Sequence, residues 1–316
     1  MKYLKNWQFL GFISFFLSLS FILYKNYSKE NQKVDVVVFS YDRPLQLYSF
    51  LESFYQRCAD YGKVFAIIRA SSTDFLEGYQ LVKQDFPKVE FVYQGDHPKE
   101  DFKPLLLQAV YGSNAKFIAF AVDDIIVKDH IDFSKCMNAL LQTDAWGFFL
   151  RLGKNIDYCY MLSNKVNLPS LTQVKNEVLS WNFFKAEGDW GYPNSLDMTV
   201  YFKKKVKKNL TELVFQSPNT LESAWAHKNK NNEIGLCFAE SKIINIPLNL
   251  VNISSNRCMN FIGTDELLLI FKGGFKMDIA PLHKMIHHSP HEEYTPTYVV
   301  RNNIISMDTQ DHHEMD

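Results

Sequence analysis

From Val34 onward, apolar runs rich in β-branched residues alternate with segments whose apolar positions recur at helical spacing. Val34-Asp35-Val36-Val37-Val38-Phe39-Ser40 reads as a strand. Pro44, just past Tyr41-Asp42-Arg43, is placed to open a helix, and Leu47, Phe50, Leu51, Phe54 and Tyr55 give that helix one apolar face up to Cys58. Val64 to Ile68 predicts a second strand, Phe75 to Asp85 a helix, Val89 to Tyr93 a short strand and Lys103 to Tyr111 another helix. Strands alternating with helices predict an α/β fold with a mostly parallel sheet and right-handed crossovers.

The run Phe117-Ile118-Ala119-Phe120-Ala121-Val122 ends on Asp123 and Asp124 and turns apolar again through Val127. The run reads as a buried strand with the two carboxylates at its carboxyl end, where open α/β sheets place their ligands. Paired carboxylates there suit a hard divalent cation that also holds diphosphate oxygens. The competing explanation is a strand ending in a polar turn.

Beyond a helix from Asp132 to Gln142 the pattern is less regular. Trp146 to Gly153, Leu179 to Phe184 and Thr199 to Phe202 read as strands. Glu187-Gly188-Asp189-Trp190-Gly191-Tyr192-Pro193 gathers turn formers, two acids and two aromatics, a combination suited to sugar rings or to an aromatic-anchored turn. Thr220 is placed to cap a helix carrying Glu222 and Trp225, and Asp42 and Asp74 are candidate caps of the two earlier helices.

Composition narrows the class. With 316 residues, 47% of them hydrophobic, the chain can bury one large core or a core and a subdomain. A formal net charge of -1 gives no pull toward nucleic acid, and the lysines at 203–205, 207 and 208 read as a solvated face. Five cysteines without CxxC spacing signal neither a zinc site nor a disulfide framework. Phe9 to Tyr24 is uncharged and flanked by lysines on both sides; an uncleaved single-pass anchor is expected, with a signal peptide as the alternative. Which side the body faces is not set by those lysines, and three Asn-x-Ser/Thr triplets do not choose a compartment.

The succession Ser40-Tyr41-Asp42-Arg43-Pro44, Ser71-Ser72-Thr73-Asp74 and Val122-Asp123-Asp124, each after a strand, resembles GT-A fold glycosyltransferases of the family 2 type. The resemblance implies a GT-A-like sheet, a mixed α+β acceptor-side region and transfer of a sugar from a nucleoside diphosphate sugar to a hydroxyl of a glycan, lipid or protein. It assigns nucleotide-sugar contacts to Ser40, Tyr41, Arg43, Asp74 and Asp123, and Lys103, on the helix preceding the acidic strand, is a further candidate by position, with a surface lysine as the alternative. Mn²⁺ or Mg²⁺ falls to Asp123 and Asp124, with His283, chosen from the group His283, His287, His288 and His291, as a further ligand. Acceptor contacts fall to Trp190 and Tyr192, and the base to Glu222, with Asp197 and Asp189 behind it. The implied division is 1–33 anchor and linker, 34–150 nucleotide-sugar half, 151–300 acceptor half and 301–316 flexible tail. The family's usual Asp-x-Asp or Asp-Asp-Asp is reduced here, since Val122 stands where another carboxylate would. The alternatives are a silent carbohydrate- or nucleotide-binding protein of the same fold, and a nucleotidyltransferase, which is expected to carry a glycine-rich phosphate loop that Ser40 to Pro44 lacks.

Overall fold

The computed structural model describes residues 32–175, 177–226, 228, 233–250, 258 and 261–302. The apolar run Phe9 to Tyr24 and the end of the tail lie outside the described residues. Among the described residues, no helix is long and apolar enough to cross a membrane.

A nine-stranded sheet organises the chain. Its strands are β1 (Val34–Tyr41), β2 (Tyr61–Arg69), β3 (Glu90–Tyr93), β4 (Phe117–Val122), β5 (Gly147–Phe149), β6 (Thr172–Lys175), β7 (Val178–Asn182), β8 (Thr199–Phe202) and β9 (Ile234–Phe238). They lie side by side in the order β6-β7-β9-β5-β8-β4-β1-β2-β3. The run β4-β1-β2-β3 is parallel, as is β5 with β9, whereas β8 runs antiparallel to both of its neighbours. This mostly parallel sheet flanked by helices is the α/β architecture that the alternating pattern predicts.

β1 is covered on both faces, which is why it reads as a continuous apolar run. Its side chains still alternate. Val36 and Val38 join one core layer with Leu47, Phe50 and Leu51 of α1 (Pro44–Arg57) and Tyr79 of α2 (Thr73–Asp85). Val37 and Phe39 join the other with Phe102 and Leu106 of α3 (Pro98–Tyr111), and α4 (Phe133–Thr143) adds Met137 and Leu140 to the first layer. Asp35 is a charge inside this strand; it accepts from Lys203 Nζ at 2.8 Å and from the Lys63 backbone at 2.9 Å.

That pairing revises one expectation. Lys203 opens α5 (Lys203–Glu212) and is buried beside Asp35, so the lysine cluster is not wholly a solvated face. The strand from Phe117 ends at Val122 with Asp123 and Asp124 at its carboxyl end, as expected, and the apolar Ile125–Val127 beyond them pairs antiparallel with Ile243–Asn245. Three expected caps also differ. Ser72 caps α2, Ser217 caps α6 (Pro218–Trp225), and the Asp42 carboxylate accepts from Ser71 N at 2.8 Å. Asp42 sits at φ 54, where the chain turns sharply out of β1. The strand expected over Trp146 to Gly153 is confined to β5, and the one over Leu179 to Phe184 gives way to a 3-10 turn at Phe183–Lys185.

Candidate active site

A cleft of about 760 Å³ opens where the parallel strands end. Topology dictates its lining. β1, β2 and β4 deliver Ser40 and Tyr41, Arg69, and Asp123 with Asp124; β5, running the same way, leads to Arg151. Because β8 is antiparallel to β4, it begins at this edge and brings Asp197 with it. The start of α6 adds Ser217 to Glu222, and the stretch after β9 adds Asn245, Asn249 and His291.

On one side, Arg43 Nη1 lies 3.1 Å from Asp123 Oδ1 and 3.8 Å from Asp124 Oδ2, and Nη2 donates to the Asn249 carbonyl at 2.7 Å. Beneath it, the Tyr79 hydroxyl bonds Ser40 Oγ at 2.7 Å and accepts from Arg43 N at 3.0 Å. Burial raises the Asp123 carboxyl against the pull of Arg43. Asp124 is pushed up to about 6: burial dominates, Arg43 opposes it, and repulsion from Asp123 and Asp197 adds to it.

Asn245 joins the two sides. Its buried amide nitrogen donates to Asp124 Oδ1 at 3.4 Å and to Asp197 Oδ1 at 3.3 Å. Beyond it, Leu196 N donates to Glu222 Oε1 at 3.1 Å. Glu222 is pushed up to about 7 by burial and by Asp197, with the Leu196 bond and Arg151 opposing. A carboxylate in that range can accept a proton near neutral pH. Asp189 differs, being held by Arg151 Nη1 at 2.6 Å.

Not every expected site residue reaches the cleft. Trp190 is fully buried, its indole N–H donating to the Ile156 carbonyl and its ring 4.9 Å from that of Trp181, so no sugar can stack on it. Tyr192 does line the cleft. Asp74 lies on the exposed first turn of α2, paired with Lys272 at 2.8 Å, and Lys103 Nζ is taken up by the carbonyls of Thr211 and Leu213. His283 stands in the turn Leu282–Lys284, 3.5 Å from Arg57 Nε. The histidine of the cleft is His291, whose chain is pinned by a parallel bridge to Asn245 and whose ring stacks near Tyr160.

Arg151, Asn245, Asn249 and Arg69 were missed as site residues. Arg151 carries the signal that betrays Asp123: a charge closing an apolar run, here Trp146 to Leu150. Asn245 closes Ile243-Ile244 in the same way. Arg69, which ends β2, lies 4.3 Å over the ring of Tyr41.

The donor set suits a hard divalent cation: two adjacent carboxylates, with an imidazole near Asp124. Asp123 Oδ2 is buried without a hydrogen-bond partner. Among the described residues no group of three or more such side chains forms a closed metal shell.

Strand-end acids beside a nucleotide-sized cleft in an α/β sheet resemble a GT-A-type glycosyltransferase. No known family model matches the chain. Over 191 residues it is 30% identical to the bifunctional glycosyltransferase pgtA of Dictyostelium discoideum, covering 55% of this chain and 24% of that protein. The chain thus spans about a quarter of the curated relative it matches. Among solved structures, S. aureus TarS overlays with a TM-score of 0.43 at 11% identity, over 67% of this chain and 36% of that one. TarS 1–349 in complex with UDP-GlcNAc gives 0.39 at 14% identity, over 71% and 61%. Overlays this loose transfer neither a ligand nor a residue's role.

Proposed function

We propose that the chain is a metal-dependent glycosyltransferase that moves a sugar from a nucleoside diphosphate sugar to an acceptor hydroxyl. One observation carries the reading: Asp123 and Asp124 at the end of β4 face the same cleft as Glu222, a carboxylate whose proton affinity is matched to neutral pH. The sequence similarity to a glycosyltransferase supports it independently.

Asp123 and Asp124 would hold Mn²⁺ or Mg²⁺, with His291 rather than His283 as the histidine at hand. The cation, when bound, neutralises charge on the leaving diphosphate. Ser40, Tyr41 and Arg69 stand where the base and ribose would lie, although the Ser40 hydroxyl is already bonded to Tyr79. Glu222 takes the proton from the acceptor hydroxyl as it attacks the anomeric carbon, and Asp197 keeps the proton affinity of Glu222 high. Tyr192 offers an aromatic face to the acceptor.

Within this reading, 34–150 serves the donor and 151–300 the acceptor, and the run Phe9 to Tyr24 tethers the protein to a membrane. The test is nucleoside diphosphate release from a panel of nucleotide sugars, with and without Mn²⁺ and with candidate acceptors. Binding of a nucleotide sugar without turnover, across the panel, would identify a silent binding protein instead.

A further inference from the structure

The proposed reading places a dication at Asp123 and Asp124, yet a cation already stands there. Arg43 is buried, with its guanidinium 3.1 Å from Asp123, 3.8 Å from Asp124 and 2.7 Å from the Asn249 carbonyl. Two partners, a carboxylate at Nη1 and a main-chain oxygen at Nη2, hold the guanidinium in place. These charge-assisted bonds keep its positive charge beside Asp123 and Asp124 whatever else the remaining N–H groups of this cleft-lining residue meet. Beside the nucleotide contact expected of Arg43, this placement gives it a second role.

We infer that Arg43 is a resident counter-ion that makes divalent-cation binding at Asp123 and Asp124 depend on the diphosphate. With Arg43 present, the two carboxylates leave a single net negative charge, and a bare dication approaching them is repelled by the guanidinium a few ångströms away. Partly buried charges feel that repulsion with little screening. A diphosphate brings both the missing negative charge and the missing oxygens. The shell points the same way, since the protein gathers no closed set of three ligands among the described residues, and Mg²⁺-type sites use one or two carboxylates completed by substrate phosphates. Without Arg43, Asp123 and Asp124 would attract the dication unaided. The device keeps an empty enzyme from filling with metal and admits cation and diphosphate as a unit.

This inference rests on the proposed function for the identity of the ligand, but its test reads binding rather than turnover. Mn²⁺ is titrated alone, and then in the presence of uridine or guanosine diphosphate, followed by the loss of the free-ion electron paramagnetic signal. The wild-type chain is expected to bind Mn²⁺ alone at least tenfold more weakly than with whichever diphosphate it accepts. Arg43→Gln should bind Mn²⁺ alone about tenfold or more tighter than wild type, with the diphosphate adding little, and Arg43→Lys should behave like wild type because it keeps the charge. Equal wild-type affinity with and without diphosphate overturns the inference, and that comparison needs no variant to fold. So does an Arg43→Gln protein, folded by circular dichroism, that binds Mn²⁺ no tighter. Turnover of nucleotide sugar with no Mn²⁺ binding under either condition removes the metal and the inference together. The expected binding pattern in a chain that turns over no nucleotide sugar leaves the inference standing and defeats the glycosyltransferase reading.

Discussion

Arg151 donates to Asp189 across 2.6 Å from a side chain that is 2% exposed, and its second amino group reaches the carbonyls of Asp189 and Tyr192, both at 3.3 Å. One guanidinium thereby fixes the turn Gly188–Gly191 and the position of Tyr192 at the cleft wall. Asp189 is taken up by this bond, which leaves Glu222 and Asp197 free for the task of proton acceptor. Arg151→Met should destabilise the fold by about 2–4 kcal/mol in urea unfolding, less than for a wholly buried pair because Asp189 stays partly solvated. A loss near zero would make the pair ornamental.

Glu222→Gln keeps the shape of the side chain and its acceptor oxygen for Leu196 N but cannot take a proton. Transfer should fall by roughly a hundredfold or more while nucleotide affinity holds. In wild type, kcat/KM should rise with pH and level off above about 7, the value to which burial and Asp197 push this carboxyl. The variant should lose that limb. A drop of only a few-fold with the limb intact would move the role to Asp197.

Asp124→Asn should abolish metal-dependent nucleotide binding and transfer. Its effect on stability has the opposite sign. Asp124 binds its proton more tightly folded than unfolded, so the stability this lends is complete below its ordinary value of 3.8 and is lost as pH rises through about 6. In metal-free buffer at neutral pH, the variant should match or exceed wild type, by up to on the order of 1–3 kcal/mol in denaturant melts. Marked destabilisation with retained transfer would make the residue structural.

Trp190 and Tyr192 are two residues apart and should separate cleanly. Trp190→Ala removes a fully buried ring and its hydrogen bond to Ile156, and should cost about 3–5 kcal/mol. Tyr192→Ala should cost less stability and raise the acceptor KM more than the donor KM. Equal effects on both KM values would take Tyr192 out of acceptor binding.

Deleting Met1 to Tyr24 should yield a soluble body active on a water-soluble acceptor, because the sheet begins only at Val34. Membrane fractionation of the full chain against the deletion checks the tether. An aggregated, inactive deletion would mean that the run belongs to the fold.

Local chemistry was enough to read the sheet and its acidic edge. A β-branched run covered on both faces must be a central strand, and a carboxylate pair that ends such a run must stand at its rim, so β1, β4, Asp123 and Asp124 were legible from neighbours along the chain. The other wall was not. Asp197 reaches the edge because β8 runs against β4, a direction no local pattern encodes, and Glu222 reaches it because α6 starts beside that edge. Four histidines lie between 283 and 291 in similar polar surroundings, and only the bridge from Asn245 to His291 selects the one that enters the cleft. Trp190 looked like a sugar platform by composition, but packing against Trp181 took it inside. The chain therefore specified by itself whatever depends on residues a few positions apart, namely periodicity, burial and charge at strand ends. Tertiary structure decided which distant groups share a space of ångströms, and with it their proton affinities, because burial and Coulomb interactions act through space and not along the sequence.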